Sequence, residues 1–289
     1  MFFFTGVQEL GWPTEVTRVG TYKIIHWRHD NIGRVVIKDR RNRTVAQASD
    51  VDAKIWSMTN HGARGHPEVC IYTWTGGAHA SFAYYIIGLG PKPKCLLAFW
   101  QGNGDEAGDF EVKDLRRDGR KEIVTSYDGF AYRLGLGYSP VYVPMVLELS
   151  GGRYVDTTKK YPELAVAASA KALKDLEEAI RERKAERESL AKKNYDLANE
   201  EDYAYGGPGI RRNAIGFLAS KILLGRETRA WKYLRTLLPH GVYKNLRQNR
   251  TWIRRVVADR KLRIRHPALS QIPLKWNDIN DADSPWGDK

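Results

Sequence analysis

A motif that occurs twice in the first half of the chain constrains the fold most. Around Gly65 the chain reads Gly65-His66-Pro67-Glu68-Val69, then runs through an apolar segment into Gly76-Gly77-Ala78-His79. Around Gly119 it reads Gly119-Arg120-Lys121-Glu122-Ile123, then runs into Asp128-Gly129-Phe130-Ala131-Tyr132. Each copy is a polar loop, a Gly, a Glu three residues later and a strand that ends at a Gly turn. Repeated loop–strand units of this kind describe a β-rich module.

The surrounding sequence agrees with that reading. β-branched and aromatic residues, broken by Gly, Pro, Asn and Asp, predict strands over 21–27, 33–38, 54–58, 68–74, 80–89, 95–100, 110–113, 122–126 and 141–149. Asp30-Asn31-Ile32-Gly33 and Ser150-Gly151-Gly152-Arg153 read as hairpin turns. Short strands at this spacing imply antiparallel sheets, packed as a sandwich or arranged as a partial propeller.

The pattern changes at Tyr161-Pro162. Residues 163–199 contain no helix breaker and are rich in Ala, Leu, Glu, Lys and Arg, which predicts one long helix. Leu164, Ala168, Leu173, Leu176 and Ile180 form its apolar stripe. Residues 203–209, with Gly206-Gly207-Pro208-Gly209, read as a hinge. Helices are then predicted over 210–224, ending at Gly225, over 227–238, ending before Pro239, and over 242–265, ending before Pro267. The fold class is therefore α+β. A β-rich module occupies residues 1–160, a basic helical region 161–270 and an extended polar tail 271–289.

Charge separates these parts. The net charge of +13 is concentrated in residues 210–270, where 16 Lys and Arg face 2 acids, Glu227 and Asp259. Residues 1–209 carry 29 basic against 28 acidic side chains. A hydrophobic content of 42%, with 9 Trp and 15 Tyr, is that of a folded chain rather than a disordered one. No apolar run reaches the roughly 18 residues a membrane span needs. The start, Met1-Phe2-Phe3-Phe4, lacks the charged region and cleavage site of a signal peptide. The two cysteines, Cys70 and Cys95, fall on different predicted strands. One disulfide and two buried thiols both fit that placement. No Cys–His spacing suits zinc.

The loops before the two Glu residues invite a calcium reading. A calcium loop needs oxygen ligands at alternate positions and a Gly at the sharp turn. The second copy offers Asp114, Asp118 and Glu122 around Gly119, but Arg116 stands where another oxygen is required. In the first copy Asn60 and Glu68 remain, with Gly62 and Arg64 at ligand positions. A guanidinium donates hydrogen bonds and never ligates a cation. It can place positive charge among carboxylates where the cation would sit. The expectation is a metal-free loop held by Arg–carboxylate pairs, with no cofactor.

The segment Asp114-Leu-Arg-Arg-Asp-Gly-Arg-Lys-Glu-Ile123 resembles the Asp-rich, Gly-centred repeat of bacterial FG-GAP/VCBS-type proteins, relatives of the integrin α-chain propeller repeat. The stretch 65–82, with Thr75-Gly-Gly-Ala-His79, is similar to an earlier copy. Val146-Leu-Glu-Leu, Gly152-Arg-Tyr-Val-Asp156 and Tyr161-Pro162 resemble the strand and turn that close such modules. The resemblance covers residues 60–162, with degenerate calcium loops. It implies an exported β-rich module used for binding or scaffolding, in the periplasm or outside the cell and peripheral to a membrane.

Enzyme signals are sparse. None of the seven histidines has a metal-ligand spacing with acids. His79, beside Gly76-Gly77, is the best candidate for a reactive side chain, and a turn histidine that satisfies backbone groups fits it better. Ser189-Leu-Ala-Lys192 matches a Ser-x-x-Lys pattern without the partner motifs. Asp105, Glu106, Asp109 and Glu111 form an acidic cluster that reads as a solvated loop, as does the tail around Asp278, Asp281 and Asp283.

The basic segment says more. Arg211, Arg212, Arg229, Arg235, Arg250, Arg254 and Arg255 alternate with apolar residues such as Ile215, Leu218, Trp231, Leu234 and Trp252. Helices of this kind bury the apolar face and present the basic one. Anionic lipid headgroups and acidic protein surfaces both suit such a face. Nucleic acid ranks below them, because no helix-turn-helix, RNP or zinc-finger pattern is present. Phe2, Phe3 and Phe4 could anchor in an apolar groove or a membrane interface.

The leading expectation is a non-enzymatic accessory or structural subunit that docks electrostatically on a larger, membrane-associated assembly. Second is a cell-envelope carbohydrate- or polymer-binding module using Trp74, Tyr84, Tyr127 and Tyr132. Third is a hydrolase centred near His79.

Overall fold

A computed structural model of the chain describes residues 15–29, 32–59, 66–76, 81–103, 110–130, 134, 136, 141–192 and 207–272. Among the described residues thirteen strands form three antiparallel sheets, the first twelve of them in succession. The first sheet holds β1 (Glu15–Val19), β2 (Tyr22–His29), β3 (Ile32–Lys38) and β4 (Thr44–Asp50) in chain order. The second holds β5 (Asp52–Thr59), β6 (Glu68–Trp74), β7 (Ser81–Gly88) and β8 (Lys94–Asn103). The third holds β9 (Glu111–Lys113), β10 (Glu122–Asp128), β11 (Tyr142–Ser150) and β12 (Arg153–Asp156). Each run of four consecutive strands is thus a meander, the unit from which a propeller blade is made, and the second sheet gains a fifth strand from the C-terminal region. The β region is three such units rather than the two facing sheets of a sandwich.

The second sheet is the middle layer. Successive side chains of a strand point to opposite faces, and β6 and β7 use both. Val69, Ile71, Ala83, Tyr85 and Ile87 pack with Ile24, Val35, Ile37 and Ala48 of the first sheet. Cys70, Tyr84 and Ile86 pack with Ile123, Val143, Met145 and Tyr154 of the third. Gly33 permits the close approach of the first two sheets, because a side chain there would collide with the Ala53 backbone. Both hairpin glycines at 151 and 152 adopt positive φ, 59° and 79°, as a tight antiparallel turn requires.

The long helix α1 (Pro162–Lys192) starts one residue before its expected position. Residues 193–199 of the expected helix lie outside the described residues. The expected hinge is corrected in part, since Gly207, Pro208 and Gly209 form the first turn of α2 (Gly207–Leu223). A proline suits that turn because its missing N–H would have no intrahelical partner anyway. Gly225, at φ +67°, ends α2 in a Schellman arrangement, with the Arg226 N–H on the Lys221 carbonyl at 2.8 Å and the Gly225 N–H on that of Ile222 at 3.0 Å. Then comes α3 (Glu227–Leu237).

The single helix expected over 242–265 is corrected to four elements. These are α4 (His240–Gln248), α5 (Arg250–Asp259), a 3-10 turn (Arg260–Arg263) and a strand, β13 (Ile264–Arg265). The break falls at Asn249, whose φ of −95° and ψ of 13° lie outside the helical well. β13 pairs with β8, Ile264 opposite Phe99 and Arg265 opposite Ala98. Leu176, Leu218, Leu234, Leu246, Ile253 and Val257 of the five helices join the cluster that fills the space beside the third sheet. The helices therefore share a core with the second and third sheets, while the first sheet packs on the other face of the second.

Candidate functional site

The loop between β9 and β10 is built by its own aspartates. Asp114 accepts the Asp118 and Gly119 N–H groups at 3.1 and 2.9 Å, and Asp118 accepts the Arg120 N–H at 2.9 Å. Arg117 and Gly119 take positive φ, 56° and 82°, to close the turn. Glu122, whose side chain is 1% exposed, accepts the Leu115 N–H at 2.8 Å. The Arg116 guanidinium lies among the carboxylates, 3.1 Å from Glu122, 3.4 Å from Asp118 and 3.6 Å from Glu148. It supplies positive charge where a bound cation would otherwise be needed. Asp114, Asp118 and Glu122 are therefore engaged with backbone N–H groups and Arg116.

Glu148 extends this network to the start of α1. Lys160 and the Tyr161 hydroxyl each donate to it at 2.6 Å. Burial would raise the Glu148 carboxyl, but hydrogen bonds from Lys160 and Tyr161 hold it below the usual range. Burial and the adjacent Glu148 push the Tyr161 phenol up. In the first copy of the motif the matching Glu68 is also buried, and it accepts the Tyr154 hydroxyl at 3.0 Å.

The basic helices behave as amphipathic elements. Ala230, Trp231 and Leu234 of α3, Val242 and Leu246 of α4, and Ile253, Val256 and Val257 of α5 are buried. The sequence-selected arginines divide into two groups. Arg250 and Arg254 clamp Glu227 at 2.7 and 2.6 Å, and Arg255 reaches Asp259 at 3.3 Å. These three consume both acids of the segment. Glu227 also accepts the Trp231 indole N–H at 2.8 Å. Burial raises its carboxyl, yet the Arg250, Trp231 and Arg254 hydrogen bonds bring it below the usual range.

Arg229, Lys232 and Arg235 are exposed on α3, Arg226 just before it, and Lys244 on α4. Among the described residues none of these five has a carboxylate within ion-pair distance. Arg211 donates to the Leu134 carbonyl at 3.3 Å, and Arg212 to the Asn213 side chain at 3.3 Å. The aromatic residues beside the charges divide, with Trp231 buried, Tyr243 and Trp252 half-buried and Tyr233 exposed. Trp231 is 4% exposed, and Trp252 meets Phe130 edge-on at 5.4 Å.

Sequence reasoning missed two features. A buried ion pair joins Arg260 to Asp156 at 3.0 Å and holds the segment after α5 to β12. A cleft of about 570 Å³ lies between the third sheet and the helices. Val124, Tyr142 and Pro144 of the sheet, Ala168 and Ala172 of α1, and Arg212 and Asn213 of α2 line it. The small residues at 168, 172 and 216 were the only sequence trace of that gap.

Cys70 and Cys95 are free thiols packed on opposite faces of the middle sheet, so two buried thiols describe them and one disulfide does not. The glycan reading loses two of its aromatics. Tyr84 is 0% exposed and stacked on Phe110 at 4.1 Å, and Tyr127 is 3% exposed. Phe2, Phe3, Phe4, His79, Tyr132, Asp105, Glu106 and Asp109 lie outside the described residues, as does the tail beyond 272. Among the described residues no helix is long and apolar enough to cross a membrane. No protein-family model, no curated protein and no solved structure matches the chain.

Proposed function

We propose that the protein is a non-enzymatic accessory subunit that docks on an acidic protein surface of a larger, membrane-associated assembly. The observation that carries this reading is the exposed row Arg226, Arg229, Lys232, Arg235 and Lys244, set on helices whose two acids are already paired. Uncompensated charge of one sign repels itself in the free protein and is relieved by an acidic partner. An acidic protein face is favoured over lipid headgroups, since Trp231 is buried and Trp252 half-buried, which leaves Tyr233 as the one exposed aromatic among the described residues of these helices and makes the face chiefly ionic. The stacked meanders supply a rigid platform, and the FG-GAP/VCBS resemblance supports a location in the periplasm or outside the cell.

The test is charge reversal at Arg229, Lys232, Arg235 and Lys244, each to Glu, leaving Arg250, Arg254 and Arg255 in place because they hold Glu227 and Asp259. Co-purification from gently solubilised membranes is then compared at low and high salt. Association is expected to fall with salt in the wild type and to vanish in the variant. Equal recovery of partner by both proteins would sink the reading.

A further inference from the structure

The cleft between the third sheet and the helices has a charge balance of its own. Two acids stand on its rim, and each has a cation in its own element. Asp175 is paired with Lys171 at 2.5 Å, and Glu111 with Lys113. Arg212, in the lining, has no carboxylate within ion-pair distance among the described residues. Among the described residues its side-chain hydrogen bond is a long contact, 3.3 Å, from Nε to the Asn213 side-chain oxygen. With the Asn213 oxygen on Nε, the terminal guanidinium nitrogens and the Asn213 NH₂ group are the donors that these two lining residues can offer a ligand.

The remaining lining is mainly apolar, with Thr125, Ser126 and Lys171 as its polar members. Val124 and Pro144 lie beneath, with Ala168, Ala172 and Gly216 at the side. A helix that carried larger side chains at 168 and 172 would fill this space, so the gap comes directly from small residues one turn apart. A volume of about 570 Å³ lies within the range of small-molecule sites. An apolar body with one anionic end fits this shape. The guanidinium fork matches a carboxylate in a two-point contact.

We infer that this cleft binds a compact organic carboxylate, its anionic end on Arg212 and Asn213 and its apolar body against Val124, Pro144 and Ala168. The site is independent of the basic face of α3 and α4, and it does not rest on the docking proposal.

Calorimetric titration of the full chain with 4-phenylbutyrate and octanoate tests it, with octanol and acetate as controls. Both acids are expected to bind saturably at one site, while octanol lacks the charge and acetate the apolar body. Arg212→Gln is expected to weaken binding about tenfold or more. Ala168→Phe, which fills the cleft and leaves Arg212 in place, is expected to abolish it. Circular dichroism confirms the fold of each variant, and Arg235→Gln, outside the cleft, is expected to bind as the wild type does. Absence of saturable binding by both acids overturns the inference, as does binding that survives Ala168→Phe.

Discussion

The Arg260 guanidinium lies 3.0 Å from the Asp156 carboxylate, with both side chains no more than 5% exposed. Asp156 also accepts the Thr158 N–H at 2.9 Å and its hydroxyl at 2.6 Å, so the carboxylate organises the turn into α1 as well. Arg260→Met would strand a buried negative charge. The expected cost is about 3–5 kcal/mol, read from urea unfolding. A cost below about 1 kcal/mol, the range of exposed pairs, would mean that water reaches Asp156.

Arg116 makes a different kind of prediction. Arg116→Asp removes the guanidinium from between Asp118, Glu122 and Glu148 and adds an oxygen donor at the position a calcium loop uses. The variant is expected to be less stable than the wild type without calcium and to gain thermal stability with millimolar calcium. The wild type should not respond. A calcium-dependent Tm in the wild type would falsify the view that Arg116 occupies the cation's place.

Glu227 should make stability depend on acid. Its folded carboxyl titrates below the ordinary range, so its stabilising effect is complete above the unfolded value of about 4.3 and is lost as pH falls through the folded one. Glu227→Gln removes both the Arg250 and Arg254 pairs. The variant's deficit, measured by denaturation at pH 7 and again near pH 3, is expected to shrink at the lower pH. A constant deficit would assign the loss to packing around Trp231 instead.

Burial raises both thiols, Cys95 to about 12, and leaves too little thiolate at neutral pH for ready reaction. Native protein is expected to react slowly with a thiol reagent, whereas denatured protein should release two equivalents without reductant. One disulfide's worth of missing thiol would contradict the placement of Cys70 and Cys95 on opposite faces.

Local pattern made much of the fold legible. β6 runs from Glu68 to Trp74 as its apolar run demands, and α1 begins at the first proline after the last strand. Elements with weak local signals were missed. β4, Thr-Val-Ala-Gln-Ala-Ser-Asp, is half Ala, Ser and Gln, residues that rarely mark a strand, and it is held by pairing with β3. β1 is an exposed edge without an apolar run, and β12 is four residues long, too short for a periodic signal of its own beyond the resemblance of Gly152–Asp156 to a closing strand and turn. The helix over 242–265 was overextended because neither Gly nor Pro marks Asn249.

The candidate sites follow the same rule. Arg116 could be read from spacing, since its loop is nine residues of contiguous chain. The cleft and the Asp156–Arg260 pair could not, because each brings together side chains from distant segments. Nor does sequence distinguish a free arginine from a paired one. Arg229 and Arg254 look alike until Glu227 is seen beside the second.

The pairing of Ile264 and Arg265 with β8 sets an order of events as the chain is made. β8 emerges from the ribosome long before residues 264–265 do, so the middle sheet's outer strand waits with open hydrogen-bonding groups while about 160 further residues are synthesised. Within that interval two nascent chains can join edge to edge. A chain cut short after α5 would keep the hazard permanently, and its fate would be decided by chaperone supply instead of by the stability of what remains.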